Sequence, residues 1–175
     1  MEMLMKTDIQ LIKQAKTGDV HAFARLYETI YQDLYHFALY TLKNPADAED
    51  IVSETVTDAF VQIGQLKKVE SFKAWIFQIL TNKCRKSLKN HPLSLEEIPW
   101  ELKESTHENL ELDTMIRQEF FRLSDEERMI ISMHLFAGYK SHEIASILHM
   151  NENTVRSKES RALKKMAVNL NPEKE

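Results

Sequence analysis

The chain has 175 residues, a formal net charge of −4, three glycines, four prolines and a single cysteine. Because Cys84 has no second cysteine to pair with, an internal disulfide is excluded, and the shortage of glycine and proline favours an all-α fold. The histidines do not combine with cysteines at zinc-ligand spacing, and no apolar stretch approaches the roughly 20 residues of a membrane span. We therefore expect a soluble cytoplasmic protein with no metal and no other cofactor.

Apolar residues recur at helical spacing through most of the first 90 residues, which predicts four helices. Gly18 divides the first helix from the second. Asn44 suits the N-cap of the third helix and Pro45 its first position, where no amide donor is needed. Gly64 is expected to end the third helix, and Ser71 is expected to cap the fourth.

Carboxylates and two prolines dominate the next stretch, which has little regular apolar spacing and so predicts an acidic linker. Helical spacing then resumes, with Ser124 as an N-cap. Ser141 and Asn151 open two further helices so close together that they form a helix-turn-helix. The predicted division is a helical domain over 1–90, the acidic linker over 91–112, a second helical domain over 113–170 and a tail over 171–175.

The predicted third helix carries carboxylates at a spacing of three or four residues, which places them along one face. This acidic stripe consists of Asp47, Asp50, Glu54 and Asp58. Because no cation stands at i+4 to relieve their repulsion, the stripe is predicted to dock a basic partner. Two alternatives are a solvated helix face and a metal-dependent helical-bundle enzyme, although the first domain has no Glu-x-x-His pair for a metal. No catalytic residue is predicted.

The predicted fourth helix begins with aromatic residues and ends with cations, a combination that suits single-stranded DNA. Trp75 itself is better explained as a core residue. Asn82 and the cations of this helix and the loop before it are stronger candidates. The predicted single-strand contacts are Lys67, Lys68, Lys73, Asn82, Lys83, Arg85 and Lys86.

The last predicted helix has amide and hydroxyl groups near its start and positive charge along its length, as a recognition helix in a DNA major groove does. The predicted contacts are Asn153, Thr154, Arg156, Ser157, Lys158, Arg161 and Lys165. The plainer alternative is a helical hairpin with a solvated basic face. A helix-turn-helix alone also fits a stand-alone regulator that binds duplex DNA by itself and uses the first domain for dimerisation or ligand binding.

Four segments together resemble the extracytoplasmic-function branch of the sigma-70 family, in order and at the right separations. They are DAEDIVSETVTDAF, SFKAWIFQILTNKCRKSL, LSDEERMIISMHLFAGYKSHEIASIL and ENTVRSKESRALKKM, and the resemblance covers nearly the whole chain. It implies two small helical domains, sigma region 2 and region 4, joined by the acidic linker. It also implies a non-catalytic alternative sigma factor that lends promoter specificity to bacterial RNA polymerase.

The resemblance assigns a partner to each predicted surface. The acidic stripe would dock on the clamp coiled coil of the polymerase β′ subunit, and the single-strand contacts would hold the melted −10 element of promoter DNA. The last helix would read the −35 element while its flanks meet the β flap, and the linker would lie near the RNA exit path. An anti-sigma protein, often membrane-bound, is implied as the regulator, and no small-molecule substrate is expected.

The chain departs from the family's usual pattern in the last helix. Where the family usually has arginine and then an apolar residue, this chain has Lys158 and Glu159. Glu159 lies at i+4 from Val155, near the edge of the packing face. Two placements remain open at this point, because Glu159 would either point to solvent or sit close to DNA and repel phosphate.

Overall fold

The computed structural model describes residues 2–90 and 110–170, and all regular structure in these residues is helical. The helices are α1 (Glu2–Lys16), α2 (Val20–Leu42), α3 (Pro45–Gln62), α4 (Phe72–Asn90), α5 (Leu110–Arg122), α6 (Asp125–Ala137), α7 (Ser141–Leu148) and α8 (Glu152–Leu170). Two 3-10 turns, Ile63–Gln65 and Val69–Ser71, connect α3 to α4. The all-α prediction is confirmed. The tail 171–175 and most of the predicted linker 91–112 lie outside the described residues.

The helix boundaries are set by the capping residues that the sequence indicates. The Asn44 side chain accepts hydrogen bonds from two backbone N–H groups in the first turn of α3, at 2.9 and 3.2 Å, and Pro45 begins that helix. Ser124 and Glu127 form a reciprocal capping box at the start of α6. Gly138 ends α6 with a φ of +70°, a conformation that glycine adopts without steric cost. The predictions for Asn44, Pro45 and Ser124 are confirmed.

The α3–α4 connection agrees with the sequence prediction only in part. α3 ends at Gln62, close to the end expected at Gly64, but Gly64 does not have a positive φ and lies within the first 3-10 turn. Ser71 does not cap α4, since its hydroxyl donates to the Lys68 carbonyl at 2.7 Å. The physical reason is packing: the two tight turns allow Leu66 and Phe72 to be buried, at 5% and 4% exposure.

The helices α1, α3 and α4 pack around α2 to form the N-terminal half of the molecule. Leu34 and Phe37 of α2 are fully buried, and the Phe37 ring meets the Phe77 ring of α4 edge to face with centroids 5.7 Å apart. Trp75 is partly buried against the same core, in agreement with its interpretation as a core residue. The bundle therefore holds α3 and α4 side by side with their polar faces outward.

The C-terminal half is built on α6, against which α7 and α8 pack. The turn between α7 and α8 passes through His149 in the left-handed conformation, with a φ of 54°. The apolar residues predicted to join these two helices are buried: Ile144, Ala145, Leu148, Val155 and Ala162. The helix-turn-helix geometry follows from this packing.

The two halves pack against each other along a seam formed by α2 with α6 and by α4 with α7. Four cations cross it, and each donates to a backbone carbonyl in the last turn of a helix in the other half. These helix-end contacts are Lys43 to Phe121 O (2.7 Å), Arg128 to Thr41 O (3.3 Å), Lys73 to Ala137 O (3.3 Å) and Arg85 to Leu148 O (3.2 Å). Such carbonyls have no partner within their own helix and carry partial negative charge, so a cation suits them.

Two of these cations are buried in the seam. Lys43 is 8% exposed and Arg128 is 2% exposed. Burial and, to a smaller extent, the neighbouring Arg128 lower the pKa of Lys43 to about 8, against the opposing effect of Asp125. Burial also holds the pKa of Arg128 below its usual value, although Asp125 pairs with it. The seam therefore contains charge that has been removed from water at a cost in free energy.

Replacing Lys43 by methionine should reveal this cost as a pH dependence of the difference in stability between the wild type and the variant. The folded-state pKa of about 8 lies below the ordinary value of 10.5, so the unfolded chain binds more protons between those pH values. The free energy of unfolding of the wild type, measured relative to Lys43→Met, should therefore rise from pH 8 to pH 10.5. Urea denaturation of both proteins at several pH values measures this difference, and a difference independent of pH would contradict the burial of a charged Lys43.

Candidate partner-binding and nucleic-acid surfaces

The acidic stripe lies along the outer face of α3. Asp50 and Glu54 are exposed, Asp47 and Asp58 are half-exposed, and the opposite face of the helix is buried against the bundle. The predicted alignment of the four carboxylates on one face is present. Asp47 also lies in the first turn, where the helix dipole favours negative charge.

The expectation that no cation within the chain relieves the repulsion among the carboxylates of the stripe is wrong. Lys83 of α4 places its Nζ 3.1 Å from Glu54 Oε2 and 2.8 Å from Asp58 Oδ2. Burial alone would lower the pKa of Lys83, but hydrogen bonds to Asp58 and Glu54 outweigh it and raise the pKa above its usual value. Lys83 is thus held charged against the C-terminal end of the stripe, although the sequence predicted it as a DNA contact.

The other predicted single-strand contacts fall into two groups. Lys67 and Lys68 of the connecting loop and Asn82 and Lys86 of α4 are exposed. Lys73 and Arg85 instead make helix-end contacts in the seam. Lys73 also pairs with Asp33 at 2.7 Å and lies 5.7 Å from the centroid of the Tyr139 ring. The predicted contacts therefore divide into an exposed group and a partly exposed group that contacts the C-terminal half.

Along α8, the predicted recognition residues lie mostly on an exposed face. The exposed members are Asn153, Thr154, Arg156, Ser157, Arg161 and Lys165. Lys158 is half-buried and pairs with Glu126 at 2.8 Å, and Lys165 pairs with Glu127 at 2.7 Å. Asn151 accepts from the backbone N–H of Asn153 at 2.9 Å, which fixes the start of the helix. Two of the cations are thus tied to acids of α6.

Glu159 takes neither of the two placements left open by the sequence. Its Oε2 accepts a hydrogen bond from the Ser141 hydroxyl at 3.1 Å, and its Oε1 lies 3.5 Å from His134 Nδ1. The side chain is only 16% exposed. Glu159 therefore faces the helices α6 and α7, where it fixes the orientation of α8 from inside the helix-turn-helix.

Three ionic residues with structural roles were not singled out from the sequence. Lys43, Arg128 and Glu127 are all less than 9% exposed. Burial alone would raise the pKa of Glu127, but hydrogen bonds from Lys165 and Ser124 outweigh it and hold the pKa below its usual value. The burial of Arg128 could have been suspected from the sequence, because this residue stands directly before the apolar run Met129–Ile131.

Within residues 2–90 and 110–170, no group of three or more histidine, cysteine, aspartate or glutamate side chains is arranged to hold a metal ion. In the same residues, no helix is both long enough and apolar enough to cross a membrane. The candidate functional surfaces in the described residues are therefore charged helix faces, one set on the helical bundle and one on the helix-turn-helix. Such surfaces are typical of proteins that bind nucleic acid and other proteins in transcription.

Comparisons with known proteins agree with this class. Family models for sigma-70 region 2 and for sigma-70 region 4 match residues 26–91 and 114–166. The extracytoplasmic-function (ECF) RNA polymerase sigma factor SigW of Bacillus subtilis is 30% identical over 175 residues, which cover 90% of this chain and 92% of SigW. RNA polymerase sigma factor SigV of the same organism is 32% identical over 146 residues, which cover 81% of this chain and 87% of SigV. The chain belongs to the sigma-70 family of RNA polymerase sigma factors, in its extracytoplasmic-function branch.

Solved structures share the fold. CnrH, in complex with the cytosolic domain of CnrY, matches with a TM-score of 0.71 and 21% identity, over 95% of this chain and 99% of that one. The sigma factor RpoE, in complex with the anti-sigma factor NepR from Bartonella quintana, matches with a TM-score of 0.67 and 21% identity, over 89% and 100%. Both matches span the two halves of the chain described above.

Lys83→Met should lower the stability of the protein by about 0.5 to 1 kcal/mol, because it removes the cation that pairs with two carboxylates of the stripe. Lys86→Met is the matched control, since it makes the same replacement at an exposed position on the same helix. Its effect should stay within about 0.5 kcal/mol. Urea denaturation at low and high salt measures both effects. The loss of stability caused by Lys83→Met should be smaller at high salt, because salt screens the ion pairs. Equal effects of the two replacements would contradict the pairing.

Proposed function

We propose that this protein is an alternative sigma factor that docks on core RNA polymerase through the acidic stripe and reads both promoter elements with its own helices. The observation that supports this most is the presence of two separate charged surfaces on one chain, an acidic one on α3 and a basic one on α8. A regulator that acts alone needs only the second. The role is recognition and not catalysis, and its place is the cytoplasm, where polymerase and promoter DNA are found.

The acidic stripe suits a basic helical partner. Lys83 pairs with two of its four carboxylates, Glu54 and Asp58, whereas Asp50, nearer the N-terminal end, is exposed. Opposite charges that approach at this surface attract each other and steer association. In the family to which the chain belongs, the partner assigned to this helix is the clamp coiled coil of the β′ subunit, and the flanks of the helix-turn-helix would contact the β flap.

The surface for the −10 element would consist of the α3–α4 loop and the outer face of α4. Lys67, Lys68 and Lys86 are exposed and can follow the phosphates of a single strand, while Asn82 offers an amide that can hydrogen-bond a base. The burial of Phe72 and Phe77 supports these groups from beneath. Binding energy gained at unpaired bases would offset part of the cost of opening the duplex.

The surface for the −35 element would be the outer face of α8. Asn153, Thr154 and Ser157 offer amide and hydroxyl groups near its start, and Arg156 and Arg161 offer cations for phosphates and base edges. Because Glu159 is turned toward α6 and α7, its charge is directed away from this face. The like-charge repulsion with phosphate that the sequence raised as one alternative is thereby reduced.

Regulation by an anti-sigma factor is part of this proposal. A structural neighbour, the sigma factor RpoE of Bartonella quintana, was solved with its anti-sigma factor NepR. A protein that covers the acidic stripe and the helix-turn-helix of this chain would block polymerase and promoter together. The family resemblance implies that such an anti-sigma factor is often membrane-bound. No small-molecule substrate is proposed for this protein.

Run-off transcription tests the proposed function directly. Sigma-free core polymerase should produce discrete transcripts from a pool of genomic promoter fragments when this protein is added, and none of them when it is omitted. Alignment of the DNA upstream of each start would then give the promoter elements. If no transcript forms while the protein alone retains duplex fragments, the stand-alone regulator is correct and the sigma assignment of these surfaces is wrong.

The double replacement Asp50→Lys and Glu54→Lys should abolish polymerase binding, because it reverses the charge at the centre of the stripe. The control is Glu28→Lys with Glu49→Lys, which changes the net charge equally at exposed positions off the stripe. Circular dichroism should show that both variants keep their helices. Polymerase binding, measured by co-elution and by transcription, should be lost only in the first variant. Undiminished binding by that variant would remove the docking assignment.

A further inference from the structure

The helix α8 meets the rest of the helix-turn-helix through a narrow apolar face. Val155 and Ala162 are fully buried on this face. Successive residues of a helix are about 100° apart, so these two side chains lie within about 20° of each other around the helix axis. Both side chains are short, and the hydrophobic effect that buries them has no preferred direction. Apolar packing alone therefore opposes a small rotation of α8 about its axis only weakly.

Glu159 ties one flank of this face to two other helices. It stands at i+4 from Val155, which places it about 40° away around the axis. Its Oε2 accepts from the Ser141 hydroxyl of α7 at 3.1 Å, and its Oε1 lies 3.5 Å from Nδ1 of His134 on α6. A carboxylate that is mostly removed from water is costly to bury unless such partners stay within reach. A rotation that lengthens these contacts is therefore opposed.

The opposite flank of the apolar face is held by cations. Lys158 pairs with Glu126 at 2.8 Å and Lys165 pairs with Glu127 at 2.7 Å, and both acids belong to α6. The helical spacing places these lysines about 60° and 80° from the centre of the apolar face, on the side away from Glu159. Rotation of α8 in either direction therefore lengthens contacts on one flank. The two flanks together define one rotational setting.

We infer that Glu159 is a positioning residue, whose ties to Ser141 and His134 set the rotation of α8 and so decide which bases its outer face reads. The inference rests on the proposed role of α8 in reading DNA. Side-chain ends lie about 5 to 6 Å from a helix axis, so a rotation of about 20° moves them by about 2 Å. Hydrogen-bond lengths vary by only about 0.5 Å. Such a rotation would therefore break or exchange the contacts that Asn153 and Arg156 make with base edges. The apolar residue usual in the family at position 159 would supply no directional tie.

A charge reversal across the contact tests this inference in the full-length protein. Glu159→Lys places a cation beside His134, and Glu159→Lys with His134→Glu restores an ion pair of the opposite sense. The measurement is the base preference at each position of duplex DNA selected from a random-sequence pool, with core polymerase present. Glu159→Lys should lower the preferences read by α8 about tenfold, because misaligned side chains lose base contacts. The −10 preferences should stay as in the wild type, and the double variant should restore the preferences read by α8.

The matched control is Glu159→Lys with His21→Glu, which makes the same two replacements but uses an exposed histidine of α2. This control should not restore the preferences. Ser141→Ala removes one tie without adding a charge and should lower the same preferences about threefold. It provides the measurement if Glu159→Lys does not fold, which circular dichroism shows.

Wild-type preferences in Glu159→Lys would overturn the inference, and so would equal restoration by His21→Glu and His134→Glu. Tighter DNA binding by Glu159→Lys with unchanged preferences would show instead that Glu159 acts by repelling phosphate. A wild type that selects no preferred bases for α8 would also overturn it. Run-off transcription separates these results from the proposed function. Transcripts with unchanged preferences keep the sigma assignment and remove the positioning role, whereas loss and restoration of preferences without transcripts keep that role in a stand-alone regulator.

Discussion

The arrangement of the two halves depends on the backbone carbonyls at the ends of four helices. Every α-helix leaves its last carbonyls without an internal partner, and such groups are costly to bury unless a donor reaches them. Here the donors are long cations from the opposite half, reaching α5, α2, α6 and α7. Two of them, Lys43 and Arg128, are reciprocal, because each reaches a helix end on the other side of the seam. The halves can be buried against each other only where such donors and carbonyls coincide.

The same use of cations recurs away from the seam. Lys83 is held by Glu54 and Asp58, and Lys158 is held by Glu126. A protein of net charge −4 that binds a polyanion must present local positive charge, and here much of that charge is paired internally. On the proposed function, DNA must therefore replace existing partners at several cations. Because an existing ion pair must be broken, each phosphate contact then adds less to the free energy of DNA binding. A larger share of the discrimination between DNA sequences is left to contacts with the bases.

Local features were predictable from the sequence, and features that join distant residues were not. The caps at Asn44 and Ser124 depend on neighbours within three residues, so their spacing is visible in the chain. The helix-turn-helix was predictable for the same reason. The pairing of Lys83 with the stripe joins residues 29 positions apart, and the contact of Arg128 with Thr41 O joins residues 87 apart. No periodicity encodes such partners, because they depend on how the helices pack. The prediction that Ser71 caps α4 was wrong for a related reason, since the burial of nearby apolar side chains outweighed the tendency of serine to cap a helix.

The seam and the recognition helix are connected through a single element, α6. Arg128 on α6 reaches the end of α2, while Glu126 and Glu127, two residues and one residue earlier, pair with Lys158 and Lys165 of α8. A shift of α6 away from α2 would therefore also move α8, because ion pairs and packing hold these two helices together. On the proposed function, α6 thus connects the two promoter-reading surfaces, since it lies between the seam that holds α4 against the C-terminal half and the helix α8 proposed for the −35 element.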